Sequence, residues 1–530
     1  MSAGWRHAAV GLLLLAAARP AAAQAGAEGQ TAGPVRSDKG LVAGIVAPSG
    51  VRVFEGIPFA AAPVGALRWK APQPVARWTD VRSATRFGPR CMQLPIFSDM
   101  VFRSSGMSED CLYLNVWTPA HRTSERLPVL LYYYGGGYVG GDGSEWRYDG
   151  ASLARHGVVV VTANYRLGAF GFLAYPGLTR ESPHHASGDY GLLDQVAALQ
   201  WVRRNIAAFG GDPERITIGG ESAGSMSVSA LMASPLSRGL IAGAIGESGA
   251  LIYPTFAPVP LTAAEQRGVE FANGVGAGTL AALRALPAES LLQATRQVRF
   301  PVAVDGYVLP SPPEAIFTAG RQAHVPLLVG WNSEESSWRA LLRDREPTPQ
   351  NYVDAVRSLF GEHADSIVRF FPGDTPEQVM ESGTLLAGAR FTVFSTWKWA
   401  ELQHQTGKQP VYRYFFAHPR PPTVAPAQNP PPEGAVHSAE IEYALGNLAT
   451  NHVYAWTPAD DSISAAMEAY FANFVKTGNP NGAGLPQWPA AYAGDTVQVM
   501  VLDVHSHAEP APHRGALRFL DRLYSSTPNR

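Results

Sequence analysis

Apolar residues in this chain gather into short unbroken runs rather than strict alternation. Residues 127–134, 157–163, 215–219, 325–329 and 411–416 are such runs, rich in Val, Ile, Leu and Tyr. Strands that are apolar on both sides belong in a parallel sheet covered by helices on both faces. Between the second and third runs, Leu192, Val196, Leu199, Val202 and Ile206 recur at three- and four-residue spacing, which predicts an amphipathic helix facing the sheet. Gly210-Gly211-Asp212-Pro213 should end it. Strand, helix, breaker, strand is the order of a doubly wound α/β protein, so the expected fold is α/β with a mostly parallel central sheet.

The remaining segments add less regular structure. Residues 332–390 lean towards helix and are expected to pack over the top edge of the sheet, while the proline-rich stretch 419–432 reads as a loop. There is no internal repeat and no linker that would divide the chain. A single domain over 24–530, with long insertions, is the expected organisation.

Composition changes this picture little. The 530 residues are 46% hydrophobic and 16% charged, as in an ordinary globular protein, and the formal net charge of -2 gives no ground for a nucleic-acid partner. The N-terminus is more informative. Arg6 and His7 precede an apolar run at 8–18, and Ala21-Ala22-Ala23 precedes Gln24. A basic start, a short apolar stretch and small residues at the end predict a signal peptide, 1–23, and an exported, periplasmic or secreted, mature chain. The run falls short of the ~20 apolar residues needed to span a bilayer, so stable membrane insertion is not expected. Only two cysteines exist, Cys91 and Cys111. In an oxidising compartment such a pair is expected to be joined, a link worth roughly 3 kcal/mol by loop-closure entropy.

Chemistry enters at Gly220-Glu221-Ser222-Ala223-Gly224, which follows the strand-like run 215–219 and precedes a segment able to form a helix. A G-x-S-x-G between strand and helix describes a nucleophile elbow, in which glycines let strand and helix approach closely. The pattern alone is weak, since a chain this rich in glycine yields on the order of 0.3 such matches by chance. Ser222 would need a base and an acid to orient it. His437 opens a polar segment just after the proline-rich loop, a placement from which a histidine can reach the elbow. Glu334 and Glu335 follow the run at 325–329 and are equal candidates for the acid on local pattern. Tyr134-Gly135-Gly136-Gly137-Tyr138 ends another strand and could present bare amides to an oxyanion, with the N–H of Ala223 as a further donor. No P-loop lysine follows these glycines, which argues against a phosphate cradle. His184-His185 suggests solvated side chains rather than a metal site, and neither metal nor organic cofactor is expected.

Several further motifs, in order, resemble the type-B carboxylesterase family, which includes cholinesterases and bacterial para-nitrobenzyl esterases. They are Phe54-Glu55-Gly56-Ile57-Pro58-Phe59-Ala60, Ser108-Glu109-Asp110-Cys111-Leu112-Tyr113-Leu114-Asn115-Val116, Asn164-Tyr165-Arg166, Gly191-Leu192-Leu193-Asp194-Gln195 and the stretch around Ser222, spread over roughly residues 34–515. The resemblance implies an α/β-hydrolase fold and a serine esterase that works through an acyl-enzyme on small or bulky organic esters. It implies Glu335 as the acid and His437 as the base, although Glu334-Glu335-Ser336 stands where the family has Asp-Glu-Gly. It implies Gly136, Gly137 and Ala223 as oxyanion donors, Glu221 and Ser227 as supports beside the triad, and a Cys91–Cys111 disulfide. Arg68 with Glu109 and Arg166 with Asp194 match family ion pairs. Tyr134 replaces the usual histidine before the three glycines, either packing or reshaping the pocket floor. Trp331, Trp338, Phe391 and Trp397 are either pocket or core residues. A histidine base predicts activity that falls below roughly pH 6. The rival expectations are an inactive cholinesterase-like adhesion module and a lipase, amidase or carbamate hydrolase on the same fold.

Overall fold

The computed structural model describes residues 30–425 and 432–526. The expected signal peptide and the middle of the proline-rich stretch lie outside them. The strands are β1 Gln30–Thr31, β2 Ile45–Val46, β3 Arg52–Pro58, β4 Tyr113–Thr118, β5 Leu127–Tyr133, β6 Val159–Ala163, β7 Gly211–Glu221, β8 Gly243–Glu247, β9 Leu327–Asn332, β10 Val411–Phe416, β11 Gln498–Leu502 and β12 His507–Pro510. They form one twelve-stranded sheet in the order β1-β2-β3-β4-β6-β5-β7-β8-β9-β10-β11-β12. From β6 through β11 neighbours run parallel, and antiparallel strands close both flanks. The parallel strands are almost wholly buried, which explains their continuous apolar runs.

Two strand boundaries differ from expectation. β7 starts at Gly211, so Asp212 and Pro213 lie inside the strand rather than in a breaker loop. The register jumps there: Leu127 pairs with Gly211 but Val129 pairs with Ile216, so the residues between bulge around a proline that has no N–H to donate. β9 starts at Leu327 and continues through Gly330-Trp331-Asn332, so it begins two residues later and ends three residues later than the apolar run suggests. Tyr414, Phe415 and Phe416 of β10 pair with these last residues and carry the strand on.

Helix α1, Tyr190–Asn205, buries Leu192, Val196, Leu199 and Val202 as expected, and Ile206 continues into a 3-10 turn. Helix α2, Ala223–Ala233, is buried throughout and starts at the end of β7. Residues 332–390 fold into short helices ending with α3, Pro376–Gly388, and a π-helical turn at Ala389–Val393 leads into α4, Phe394–Gly407. These helices share a second apolar cluster with Trp331, at the end of β9, and with the C-terminal helix α5, Arg514–Ser526. The insertion therefore sits over the sheet edge where Glu335 emerges.

Cys91 and Cys111 form a disulfide, both buried. Arg68 grips Glu109 through two 2.6 Å hydrogen bonds, and Arg166 grips Asp194 through two of 2.8 Å. Both expected ion pairs are therefore present.

Candidate active site

The elbow is built by close packing of backbone. A Cβ at Gly224 would collide with the Tyr133 carbonyl oxygen at the end of β5, and one at Gly220 would lie 2.6 Å from the Gly224 carbonyl carbon. Only glycine lets β7, α2 and β5 meet there. Ser222 is held at φ 53°, a region that non-glycine residues rarely occupy. Its N–H bonds the Glu247 carbonyl of β8 at 2.8 Å, and Met226 bonds its carbonyl at 2.9 Å, so both ends of the strained residue are anchored.

Two loops bring the acid and histidine together. The loop after β9 carries Glu335, and the segment 434–437 docks on it. Glu334 N–H donates to the Ala435 carbonyl at 2.8 Å, Ala435 N–H donates to Ser333 Oγ at 2.8 Å, and Asn332 Nδ2 donates to the Val436 carbonyl at 2.8 Å. His437 follows directly, with Nδ1 2.6 Å from Glu335 Oε2. Glu335 is 4% exposed, and its Oε1 accepts the Asn332 N–H at 2.7 Å and the Ser248 hydroxyl. Glu334 points away and accepts the Gly434 N–H at 3.0 Å. The two adjacent glutamates thus separate, and Glu335 is the one that meets the imidazole.

The other face of the ring meets a second carboxylate. His437 Nε2 lies 3.2 Å from Glu221 Oε1. Among the described residues the Ser222 hydroxyl makes no hydrogen bond, and His437 meets Glu335 and Glu221 rather than Ser222. Bonds between a serine and its base commonly tighten only when substrate arrives. Burial alone would lower the pKa of His437, but Glu221 and Glu335 outweigh it and push it up to about 9. Glu221 is itself pushed up to about 8 by burial, against the pull of His437.

A group of buried carboxyls backs this arrangement. Glu440 accepts from Ser248 Oγ at 3.2 Å and from Asn332 Nδ2, and burial raises it to about 7. Glu247 accepts the Tyr132 hydroxyl at 2.9 Å and is held well above the carboxylate range by burial. Arg420 bonds Glu442 at 2.7 Å and the Ser438 carbonyl at 3.1 Å, fixing the residue after His437.

The glycine loop lies against the elbow. A Cβ at Gly135 would lie 2.6 Å from Glu221 Oε2 and 3.1 Å from Ser222 Cβ. Gly136 and Gly137 follow at φ 108° and 61°, and among the described residues their N–H groups donate to no protein acceptor. Ala223 is the first residue of α2, where a helical amide has no carbonyl four residues back to bond. Tyr134 is 1% exposed, stacks on Tyr165 with ring centroids 4.4 Å apart, and exchanges hydrogen bonds with its backbone. It packs behind the loop rather than forming a pocket floor.

Ser227 supports the elbow, not the acid. Its hydroxyl donates to the Ala223 carbonyl at 2.8 Å, accepts Gln195 Nε2 at 2.9 Å and lies 3.2 Å from the Tyr138 hydroxyl. The serine that touches Glu335 is Ser248, which the sequence reading did not single out. Its only signal was a polar Glu247-Ser248 at the end of an apolar parallel strand. Trp331 and Trp397 are core residues and Trp338 is partly buried. Phe391 alone meets the site, 40% exposed with its ring 4.8 Å from that of His437. His184 stacks on Tyr307 at 3.7 Å, away from this centre.

Comparison with known proteins identifies the family and the fold. Residues 32–519 match the model of the Carboxylesterase family. The chain is 37% identical over 463 residues to a fumonisin B1 esterase of Sphingopyxis macrogoltabida, covering 83% of this chain and 81% of that one. It is 36% identical over 483 residues to the para-nitrobenzyl esterase of Bacillus subtilis (strain 168), covering 88% and 94%. A solved PNB esterase structure superposes with a TM-score of 0.78 at 32% identity, over 94% of this chain and 99% of that one. This chain therefore belongs to the carboxylesterase family: it is a serine hydrolase of carboxylic esters on the α/β-hydrolase fold.

Proposed function

We propose that Ser222 is the nucleophile, His437 the general base and Glu335 the acid that orients it. The observation that carries this reading is the 2.6 Å contact of His437 Nδ1 with Glu335 Oε2, made beside a serine held in a strained elbow. Ser222 Oγ attacks the ester carbonyl as His437 Nε2 takes its proton, and Glu335 stabilises the imidazolium. The developing oxyanion is met by the N–H groups of Gly136, Gly137 and Ala223. His437 then protonates the leaving alcohol, and water cleaves the acyl-enzyme by the same path in reverse. Glu221 adds negative charge beside the imidazolium, and Ser227 braces the helix that begins at Ala223.

For substrate, the reading is an organic ester with room for a bulky alcohol. The three consecutive glycines leave the oxyanion side of the site bare of side chains, and the relatives include esterases named for fumonisin B1 and para-nitrobenzyl esters. The mature protein is proposed to be exported after cleavage near Ala23, in keeping with the Cys91–Cys111 disulfide. A mature N-terminus at Gln24 on the exported protein would support this, whereas an intact Met1 would refute it.

Replacing Ser222 by Ala tests the assignment. Hydrolysis of para-nitrophenyl butyrate should fall by on the order of 10⁴-fold or more while the circular dichroism spectrum is unchanged. Retained turnover in the folded variant would overturn it.

A further inference from the structure

Behind Glu335, between the ends of β9 and β10 and the helices α3 and α5, lies a cavity of about 60 Å³. Trp331, Leu385, Val393, Phe415 and Leu517 give it apolar walls, and Pro512 and His513, both exposed, form its outer side. One cation lines it. Arg413 is 1% exposed, with its guanidinium 5.0 Å over the Trp331 ring, and its Nε and Nη1 have no hydrogen-bond partner.

The surroundings answer this arginine only in part: Tyr492 hydrogen-bonds its guanidinium, and its Nε and Nη1 stay unpartnered. Glu401, a carboxylate that favours its charge, also accepts the Tyr492 hydroxyl at 3.2 Å and lies 3.7 Å from Arg514. Two arginines therefore share one carboxylate. Glu335 also forms part of the wall, but its oxygens are taken by His437, Asn332 and Ser248. A guanidinium stays charged in proteins, and a buried charge with unspent donors is unfavourable unless an acceptor meets it. Burial does act against the charge of Arg413, lowering its pKa from the usual arginine range.

We infer that this cavity binds a short-chain monocarboxylate anion. Its head group would accept from Arg413 Nη1, an unpartnered donor on a buried guanidinium whose charge favours an anionic oxygen. Its alkyl tail would lie against Leu385, Phe415 and Leu517. The space admits on the order of four to six heavy atoms, the size of propionate or butyrate. Such anions are what hydrolysis of simple esters releases, so the site would sense the enzyme's own class of product. The inference does not depend on which residues carry out the hydrolysis.

Titration of the full chain with sodium butyrate at constant ionic strength, followed by calorimetry, tests this site. Butylammonium chloride is the control of opposite charge. Saturable butyrate binding is expected, with no comparable binding of butylammonium. Affinity should drop at least tenfold in Arg413→Met, which keeps the side-chain volume, and in Leu517→Phe, which fills the cavity and keeps the arginine. No saturable binding to the unaltered protein would overturn the inference, as would undiminished affinity in a folded Arg413→Met, because butyrate would then be resting on the oxyanion amides. If Arg413→Met does not fold, Leu517→Phe decides: undiminished affinity refutes the site, and a tenfold loss supports it.

Discussion

His437 stands between two carboxylates, and the contact of its Nε2 with Glu221 Oε1 at 3.2 Å sets the chemistry of the site as much as the Glu335 contact does. Glu221 precedes the nucleophile in the chain, so the elbow that presents Ser222 also aims a carboxylate at the imidazole.

This contact makes the pH profile diagnostic. A base works only when neutral, and the two glutamates raise His437 to about 9, so kcat/KM should climb with pH through a limb well above 6.5. Glu221→Gln removes one negative charge that favours imidazolium. The pKa of His437 should fall and the limb should move to lower pH. A limb that stays in place in Glu221→Gln would show that this carboxylate does not govern the titration.

Glu335 and its partner Ser248 can be separated by magnitude. Glu335→Gln preserves shape but spoils the hydrogen bond that fixes the imidazole tautomer, and kcat should fall by on the order of 10⁴. Ser248→Ala removes one donor to Glu335 Oε1 and leaves the Asn332 N–H in place. A loss of about tenfold in kcat is expected, with KM little changed, since the substrate touches neither group. An effect confined to KM would contradict a positioning role.

The elbow glycines should divide by where their missing side chain would point. At Gly224 a methyl group meets the Tyr133 carbonyl, a backbone atom within the sheet that cannot move aside, so Gly224→Ala should fail to fold or melt far below the parent. At Gly137 the nearest neighbour of such a group is Val139 Cγ2 at 3.8 Å, and only φ 61° opposes it. Gly137→Ala should fold, with activity reduced through a displaced amide. Thermal melts of both variants test the contrast, and equal stability would refute it.

Reduction of Cys91–Cys111, or the double serine variant, should remove about 3 kcal/mol of unfolding free energy by chain entropy, read from urea unfolding with the slope fitted for each form. Unchanged stability would mean the reduced chain is already restrained there.

Much of this was legible in the sequence. Continuous apolar runs located β5, β6, β7, β9 and β10, though not all of their bounds, and no such run marked β8; the Ser222 elbow and the His437 segment stood out because turns and polar breaks carry strong local signals. The choice between Glu334 and Glu335 was not local: it is made by residues 434–437 docking a hundred positions away along the chain. Ser248 was missed for the same reason, since its hydroxyl reaches Glu335 across strands β8 and β9. Ser227 was given a place beside the triad, and its actual partners, Gln195 and Tyr138, lie on other elements that no spacing rule connects. The unpartnered Arg413 looked in the sequence like any polar residue interrupting an aromatic strand.

The central claim, that Ser222 is the residue acylated in turnover, is tested most directly by trapping. The protein should be treated with a fluorophosphonate, digested and read by tandem mass spectrometry. One adduct per chain, on Ser222, with activity lost in proportion, is the predicted result. Full inactivation with the adduct on another residue, or an adducted Ser222 with activity intact, would contradict it.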